Sequence, residues 1–482
     1  MNGDGAAGKV WLNASRKLVE RLCGAGLCAW TPEERIGAND AVLTIGKRPA
    51  GLFGQANAAK GAWIWNEHAE AVSALGRREI GRRLRREGFR TAWGSAESGD
   101  IPARDGERRG PKRGREREDG LARASRRFAV TVFGLEAVDM DPWPDESDAG
   151  RELRRRLVRS SARALYALGL DMGTVGWEVD ARGREGMITR ITPDVKLGSA
   201  SAADRVAAAA AAFAADWRRE TGAGARATLG ADPEFVLLSP QGKLVPAARF
   251  FPPRGDVGCD SVVIGGVLRW PLAELRPAPS AEPRAIAARL RRLLAEASRR
   301  TSGAALTFRA GALPVSGIPL GGHLHFSGVA LTAERLRALD NAVALPLRLL
   351  EPPAAARRRP RYGALGDFRP KPYGGFEYRV PPSWLVSPLL ARGTLALAKV
   401  AAECSRELAP HRPLDDDAMR DAFYGGDRAL LLAGFERIRR AISATSGYAR
   451  YREDIDPLFR AIAEGKRWDE SADLRVKWKI FT

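Results

Sequence analysis

With 482 residues the chain can hold about two to four domains and bury sizeable cores. Its apolar content of 45% is ordinary for a globular protein, and four scattered cysteines (Cys23, Cys28, Cys259, Cys404) exclude a disulfide scaffold and a zinc finger. The net charge of +20 is spread along the chain as arginine amid abundant alanine, which favours non-specific attraction to polyanions over nucleic acid as the main partner.

The sequence opens without a basic segment followed by an apolar stretch, and the most apolar run, Val206 to Trp217, is too short to span a bilayer. A soluble, cytoplasmic protein without membrane contact is expected. In chain order, Lys9 to Leu12 reads as a strand, Ser15 to Cys23 as a short helix and Ala41 to Gly46 as a second strand. Glu67 to Glu87 reads as one or two helices, so residues 1–95 form a small α/β domain. Apolar residues nearly vanish over 96–127, which predicts a charged flexible linker. A strand at Phe128–Phe133, an amphipathic helix over Arg151–Leu168, a hairpin over Gly173–Val179 and Gly186–Ile191, and a helix over Ala202–Glu220 make 128–225 a second α/β segment.

The strand before Gly46, with Trp65-Asn66-Glu67-His68-Ala69-Glu70-Ala71-Val72, resembles the opening of an ATP-grasp ligase. Phe128–Phe133 and the stretch Ala164 to Val175 resemble its end. The charged linker replaces the nucleotide-gripping middle, and Arg190-Ile191-Thr192 stands where that family has a metal-binding Glu-x-Asn. An arginine cannot hold Mg²⁺, so the resemblance implies a degenerate module.

From Leu229 onward strands carry polar residues between helices. Asp232 and Glu234 share one face of a strand, Gln241-Gly242 turns a hairpin, and Asp260, Glu274 and Arg276 follow. Ser280 is expected to cap a helix running to about Arg300, and Thr332 another that Pro352-Pro353 stops. Leu389–Leu408 is helical, and the tail over 411–482 is expected as a helical extension of mostly short helices. The fold class is α+β, with antiparallel strands carrying the site in a domain spanning 226–410 and helices on one face.

Two of the chain's four histidines lie in Gly321-Gly322-His323-Leu324-His325, and residues two apart on a strand point the same way. Glu377 and Arg379 repeat that spacing, near Arg369 and Lys371. Such carboxylates suit a hard divalent cation, and the basic groups suit the charge of a transferring phosphoryl group. Plainer readings stay open: Glu377/Arg379 and Glu274/Arg276 as structural ion pairs, Phe326, Phe376 and Tyr378 as packing.

Taken in order, Gly-Ala-Asp-Pro-Glu-Phe, Gly-Cys-Asp-Ser, Glu-Leu-Arg-Pro, Gly-Gly-His-Leu-His-Phe-Ser-Gly and Gly-Gly-Phe-Glu-Tyr-Arg-Val-Pro-Pro-Ser over about 228–390 resemble the phage-type carboxylate–amine ligases (COOH.NH2 ligase type 2, amidoligases). These belong to the glutamine synthetase/glutamate–cysteine ligase superfamily. The resemblance implies a curved antiparallel sheet, ATP, two Mg²⁺ ions (or Mn²⁺), small-molecule or peptide carboxylate and amine substrates, and an acyl-phosphate route to an amide. It further implies that Asp232, Glu234, Asp260, Glu274, His323 and Glu377 hold metal. His325, Arg369, Lys371 and Arg379 would meet the nucleotide phosphates, while Arg379, Glu377 and Arg276 act in catalysis. Aspartate at 232 replaces the superfamily's glutamate and shortens that ligand's reach. Members range from monomers to large rings, so an oligomer is compatible. Two other readings remain: a zinc hydrolase built on His323, His325 and Glu377, and a non-catalytic scaffold with a vestigial nucleotide site.

Overall fold

The computed structural model describes residues 7–22, 26–31, 34–45, 61–94, 125–195, 199–264 and 266–480. The expected linker, up to residue 124, and Cys23 lie outside them. Residues Met1–Ala223 and Gly224–Thr482 form two compact units.

In the first unit, strands β1 (Val10–Asn13), β2 (Cys28–Ala29), β3 (Ala41–Thr44) and β4 (Trp63–Ile64) form a parallel sheet in the order β2-β1-β3-β4. Asp40 anchors it: one carboxylate oxygen accepts from Lys9 N at 2.8 Å, the other from Gly37 N at 2.8 Å and Trp11 Nε1 at 2.7 Å. A second, antiparallel sheet has the order β6-β5-β7-β8, from β5 (Arg126–Phe133), β6 (Glu136–Asp141), β7 (Met172–Val179) and β8 (Gly186–Thr192). Helix Asp148–Ala167 buries Leu153, Leu157, Ala164 and Leu165, a spacing of three and four residues that aligns them on one stripe. Arg190 lies on the edge strand β8, and its Nε donates to Thr192 Oγ1 at 3.1 Å.

Asn66 clips the two sheets together. It sits at φ 56°, a conformation asparagine tolerates better than most residues, and is 2% exposed. Its Oδ1 accepts from Asp171 N and Met172 N at 2.7 and 3.0 Å, and its Nδ2 donates to Met172 O and Pro193 O at 2.9 and 2.7 Å. Alanine here would orphan several buried backbone groups, so Asn66→Ala is expected to destabilise this unit by about 2–3 kcal/mol, read as a lowered urea midpoint.

The second unit carries an eight-stranded sheet with the order β11-β12-β9-β14-β16-β15, and β10 and β13 also pair with β9. The strands are β9 (Thr228–Leu238), β10 (Leu244–Val245), β11 (Val257–Ile264), β12 (Val267–Leu275), β13 (Thr307–Arg309), β14 (Gly322–Ser327), β15 (Phe368–Pro370) and β16 (Phe376–Tyr378). All these pairings are antiparallel, and the sheet is curved. Phe326 and Phe376 stack at 5.0 Å and, with Tyr378, are fully buried, which makes these rings core. The α+β class is therefore the observed one.

Two local expectations are corrected. Helix Pro283–Arg300 has Glu282 at its N-cap position and no side-chain cap; Ser280 instead pairs its backbone with Leu229. Proline at the first helical position has no N–H to satisfy, so the helix starts there without a serine cap. The tail, expected as mostly short helices, is dominated by two longer ones, Arg428–Ala444 and Tyr448–Ala463, of 17 and 16 residues. The second helix contains Pro457, and burial of Tyr451, Ile455, Leu458, Phe459 and Ile462 along one face carries it through. Thr332 caps helix Ala333–Leu339 as expected, accepting from Arg335 N at 3.1 Å. Among the described residues no helix is long and apolar enough to cross a membrane.

Candidate active site

Strand register brings the polar residues together. Asp232 on β9 faces His323 on β14 across the pair, and His325 faces Glu377 on β16, which in turn faces Arg369 on β15. Glu234 faces Glu274 of β12 on the other side of β9. Because side chains alternate along a strand, His323 and His325 point away from buried Leu324 and Phe326.

His325 Nε2 lies 2.8 Å from Asp232 Oδ2, while His323 Nδ1 lies 3.2 Å from Asp232 Oδ1 and 3.5 Å from Glu377 Oε1. Three cations close on the Glu377 carboxylate: Lys371 Nζ and Arg379 Nη1 at 2.5 Å each, and Arg369 Nη1 at 3.3 Å. Glu234 Oε2 accepts from Gly321 N at 2.7 Å. Glu274 pairs with Arg276, whose Nη1 also donates to Gly255 O at 3.0 Å. Asp260 lies on β11 beside a bulge and accepts from Ser261 N at 2.7 Å.

The electrostatics divide the acids. Burial opposes ionisation of Asp232 and Glu377, but His323 and His325 hold the first, and Arg379, His323 and Lys371 the second, below the ordinary carboxylate range. Glu234 and Glu274 behave oppositely. Burial, reinforced by the neighbouring acids Asp232 and Asp260, pushes them up to about 7 and about 9, although His323 and Arg276 pull the other way. Burial would lower His323, but the Asp232 carboxylate outweighs it and raises its pKa.

The donor set fits a hard divalent cation. Ligand atoms of Asp232, His325 and Glu377 all lie within 4.8 Å of one another, the group of this kind found among the described residues. Asp232 Oδ1 is buried and faces His323 Nδ1 at 3.2 Å without a well-aligned hydrogen bond, and two further acids crowd beside it that only a proton or a cation can reconcile. The triad expected for zinc contained His323 instead of Asp232; the geometry puts the carboxylate in that group.

Some contributors were given no role by the sequence reading. Ser383 Oγ donates to Glu234 O at 2.5 Å, and Asp367 O accepts from Arg379 N at 2.9 Å, steadying the two strands that bear the acids. Gly258 and Gly321 leave room for site side chains: a Cβ on the first would lie 2.0 Å from Arg276 Nη1, and on the second 2.5 Å from His323 Nε2. Each precedes a site residue by two positions, which was the available signal.

The unit that carries this site is that of a carboxylate–amine ligase. Residues 229–480 match the model of the phage phiEco32-like COOH.NH2 ligase-type 2 family. The match spans more than half of the chain, and the protein belongs to that family. Structures similar to the chain include apo GmaS, at 13% identity over 58% of this chain and 78% of that one, TM-score 0.30. A bifunctional glutathione synthetase from Pasteurella multocida is similar at 12% identity over 53% and 51%, TM-score 0.30, and a glutamine synthase homolog at 18% over 52% and 73%, TM-score 0.23. No curated protein sequence matches the chain.

Proposed function

We propose that the protein joins a small-molecule or peptide carboxylate to an amine at the expense of ATP, through an acyl phosphate. The observation that carries this reading is the convergence of Arg369, Lys371 and Arg379 on Glu377, one strand away from the Asp232–His325 pair. A cation cluster beside acid and imidazole ligands suits a polyphosphate with its metal.

Asp232, Glu377 and His325, whose ligand atoms lie closest together, with Glu234, Glu274 and His323 beside them and Asp260 at the edge, are the residues that would hold Mg²⁺. When bound, the ions supply charge compensation for the phosphate oxygens. His325, Arg369 and Lys371 orient the nucleotide phosphates. The substrate carboxylate attacks the γ-phosphorus, the bond to the β,γ-bridging oxygen breaks, and ADP leaves. Arg379 neutralises the charge on the phosphoryl group in flight. The amine then attacks the acyl carbon, phosphate departs with the C–O bonding pair, and the amine loses a proton. Arg276, tied to Glu274, positions that acid.

Incubation of the full chain with Mg-ATP and panels of amino acids and peptides tests this. ADP and phosphate released in equal amounts, only when acid and amine are both present, are expected; zinc-dependent hydrolysis with no nucleotide turnover would overturn the reading.

The raised acids add a pH prediction. Glu234 holds its proton more tightly folded than its ordinary value of 4.5, so its contribution to stability is complete below that value and is lost as pH rises through about 7. Melting temperature in chelator is therefore expected to fall between pH 5 and about 8, and Mg²⁺ to restore it more at pH 8 than at pH 6.

A further inference from the structure

We infer that the second unit holds an additional anion site, formed by Arg348, Arg428 and Arg467 and shaped for a phosphate dianion. The inference does not rest on the ligase reading, because none of these residues belongs to that site.

The three arginines line a cavity of about 80 Å³ with Glu351 and Gly426. Arg348 comes from helix Leu345–Leu350, Arg428 opens helix Arg428–Ala444, and Arg467 follows helix Tyr448–Ala463. Arg348 is 4% exposed. Its Nε donates to Phe423 O at 2.9 Å and its Nη1 to Glu351 at 3.3 Å, but its buried Nη2 has no acceptor. Arg428 repeats the pattern: Nη1 donates to Leu349 O at 2.5 Å, and Nη2 is buried and unpartnered.

Glu351 cannot supply the missing acceptor. Its two oxygens already take Arg359 Nη1 and Nη2 at 2.7 and 2.6 Å, besides Arg348. One carboxylate thus serves three guanidiniums, Arg348 and Arg359 by hydrogen bonds and Arg358 by proximity, and two buried donors are left at the cavity. Burial lowers the pKa of Arg348, to about 10, and of Arg428, and the Arg467 charge adds to the effect in both. Buried donors and unscreened like charges around a small hollow are what a bound anion relieves. Three guanidiniums arriving from separate elements match the several oxygens and double charge of phosphate better than a single planar carboxylate. Gly426, at φ 87°, keeps the hollow open, since a Cβ there would come within 2.6 Å of Arg348 Nη2.

Calorimetric titration of the full chain with inorganic phosphate, without nucleotide, tests the assignment. An Arg379→Gln background removes a phosphate-suited group from the ligase site. One phosphate per chain is expected in that background, with affinity about tenfold or more weaker once Arg428→Gln and Arg467→Gln are added. Arg467→Glu alone, a change at an exposed residue, should weaken binding in the same direction without lowering the melting temperature in phosphate-free buffer. Glycerol 3-phosphate binding more tightly than phosphate would assign the site to an organic phosphomonoester; the reverse order would assign it to free phosphate. Unchanged phosphate binding in the arginine variants, no binding in the Arg379→Gln background, or equal binding of acetate would overturn the inference.

Discussion

Replacement of Arg379 by alanine is expected to lower kcat for ADP formation by about 10²–10³-fold, the usual loss when a preorganised group facing developing charge is removed. The fold should survive it. Arg379 shares the Glu377 carboxylate with Lys371 and Arg369, so two cations remain to compensate that buried acid. The strand is held by backbone bonds, including Arg379 N to Asp367 O, that alanine retains. Steady-state kinetics separate the roles: a fall in kcat with little change in KM for ATP marks a group acting in the transition state, whereas a rise in KM alone marks a ground-state contact. Lysine at 379 should recover only part of the rate, because a point charge does not reproduce a planar fork. Normal turnover in the alanine variant would remove Arg379 from the mechanism.

Glu351→Ala is expected to cost about 3–5 kcal/mol of stability, the range for breaking a buried ion pair from one side. The Glu351 side chain is completely buried and takes two bonds from Arg359 and one from Arg348, with Arg358 close by. Without it these guanidiniums are left facing one another in the core. Burial alone would raise the Glu351 pKa, but the Arg359 charge and hydrogen bonds outweigh it and hold it below the ordinary value of 4.5. The sign follows: the folded chain binds this proton less readily than the unfolded one, so the contribution is present above about pH 4.5 and is lost as pH falls through the depressed value. Urea midpoints should therefore decline for the wild type in that acid window and decline less for Glu351→Gln. A wild-type urea midpoint indifferent to the substitution at pH 7 would show that the cluster contributes nothing net.

The two predictions fall on opposite kinds of residue. Glu377 and Arg379 stand two apart in a strand between glycines and prolines, so their common face can be read from spacing. Glu351 precedes Pro352-Pro353 and looks like a helix end; nothing nearby in sequence announces three guanidiniums, although Arg358 and Arg359 are only seven and eight positions away. The missed cap at Ser280 shows how proline misleads a local reading. Proline at 283 and at 457 carries opposite meanings, a start and an interior residue, which local chemistry alone does not separate.

From the chain alone came the α+β class, the alternation that turns His323 and His325 to one side, and the families of side chain suited to phosphate and metal. Those properties depend on near neighbours, where strand period and residue chemistry act directly. Tertiary pairing decided the rest: which acid stands across from which imidazole, that Glu234 and Glu274 meet while Asp260 stays at the edge, and that arginines from two helices and the segment after a third surround one hollow. Register and helix packing join residues tens of positions apart through burial and charge summed over the whole unit, and no short stretch of sequence contains that sum.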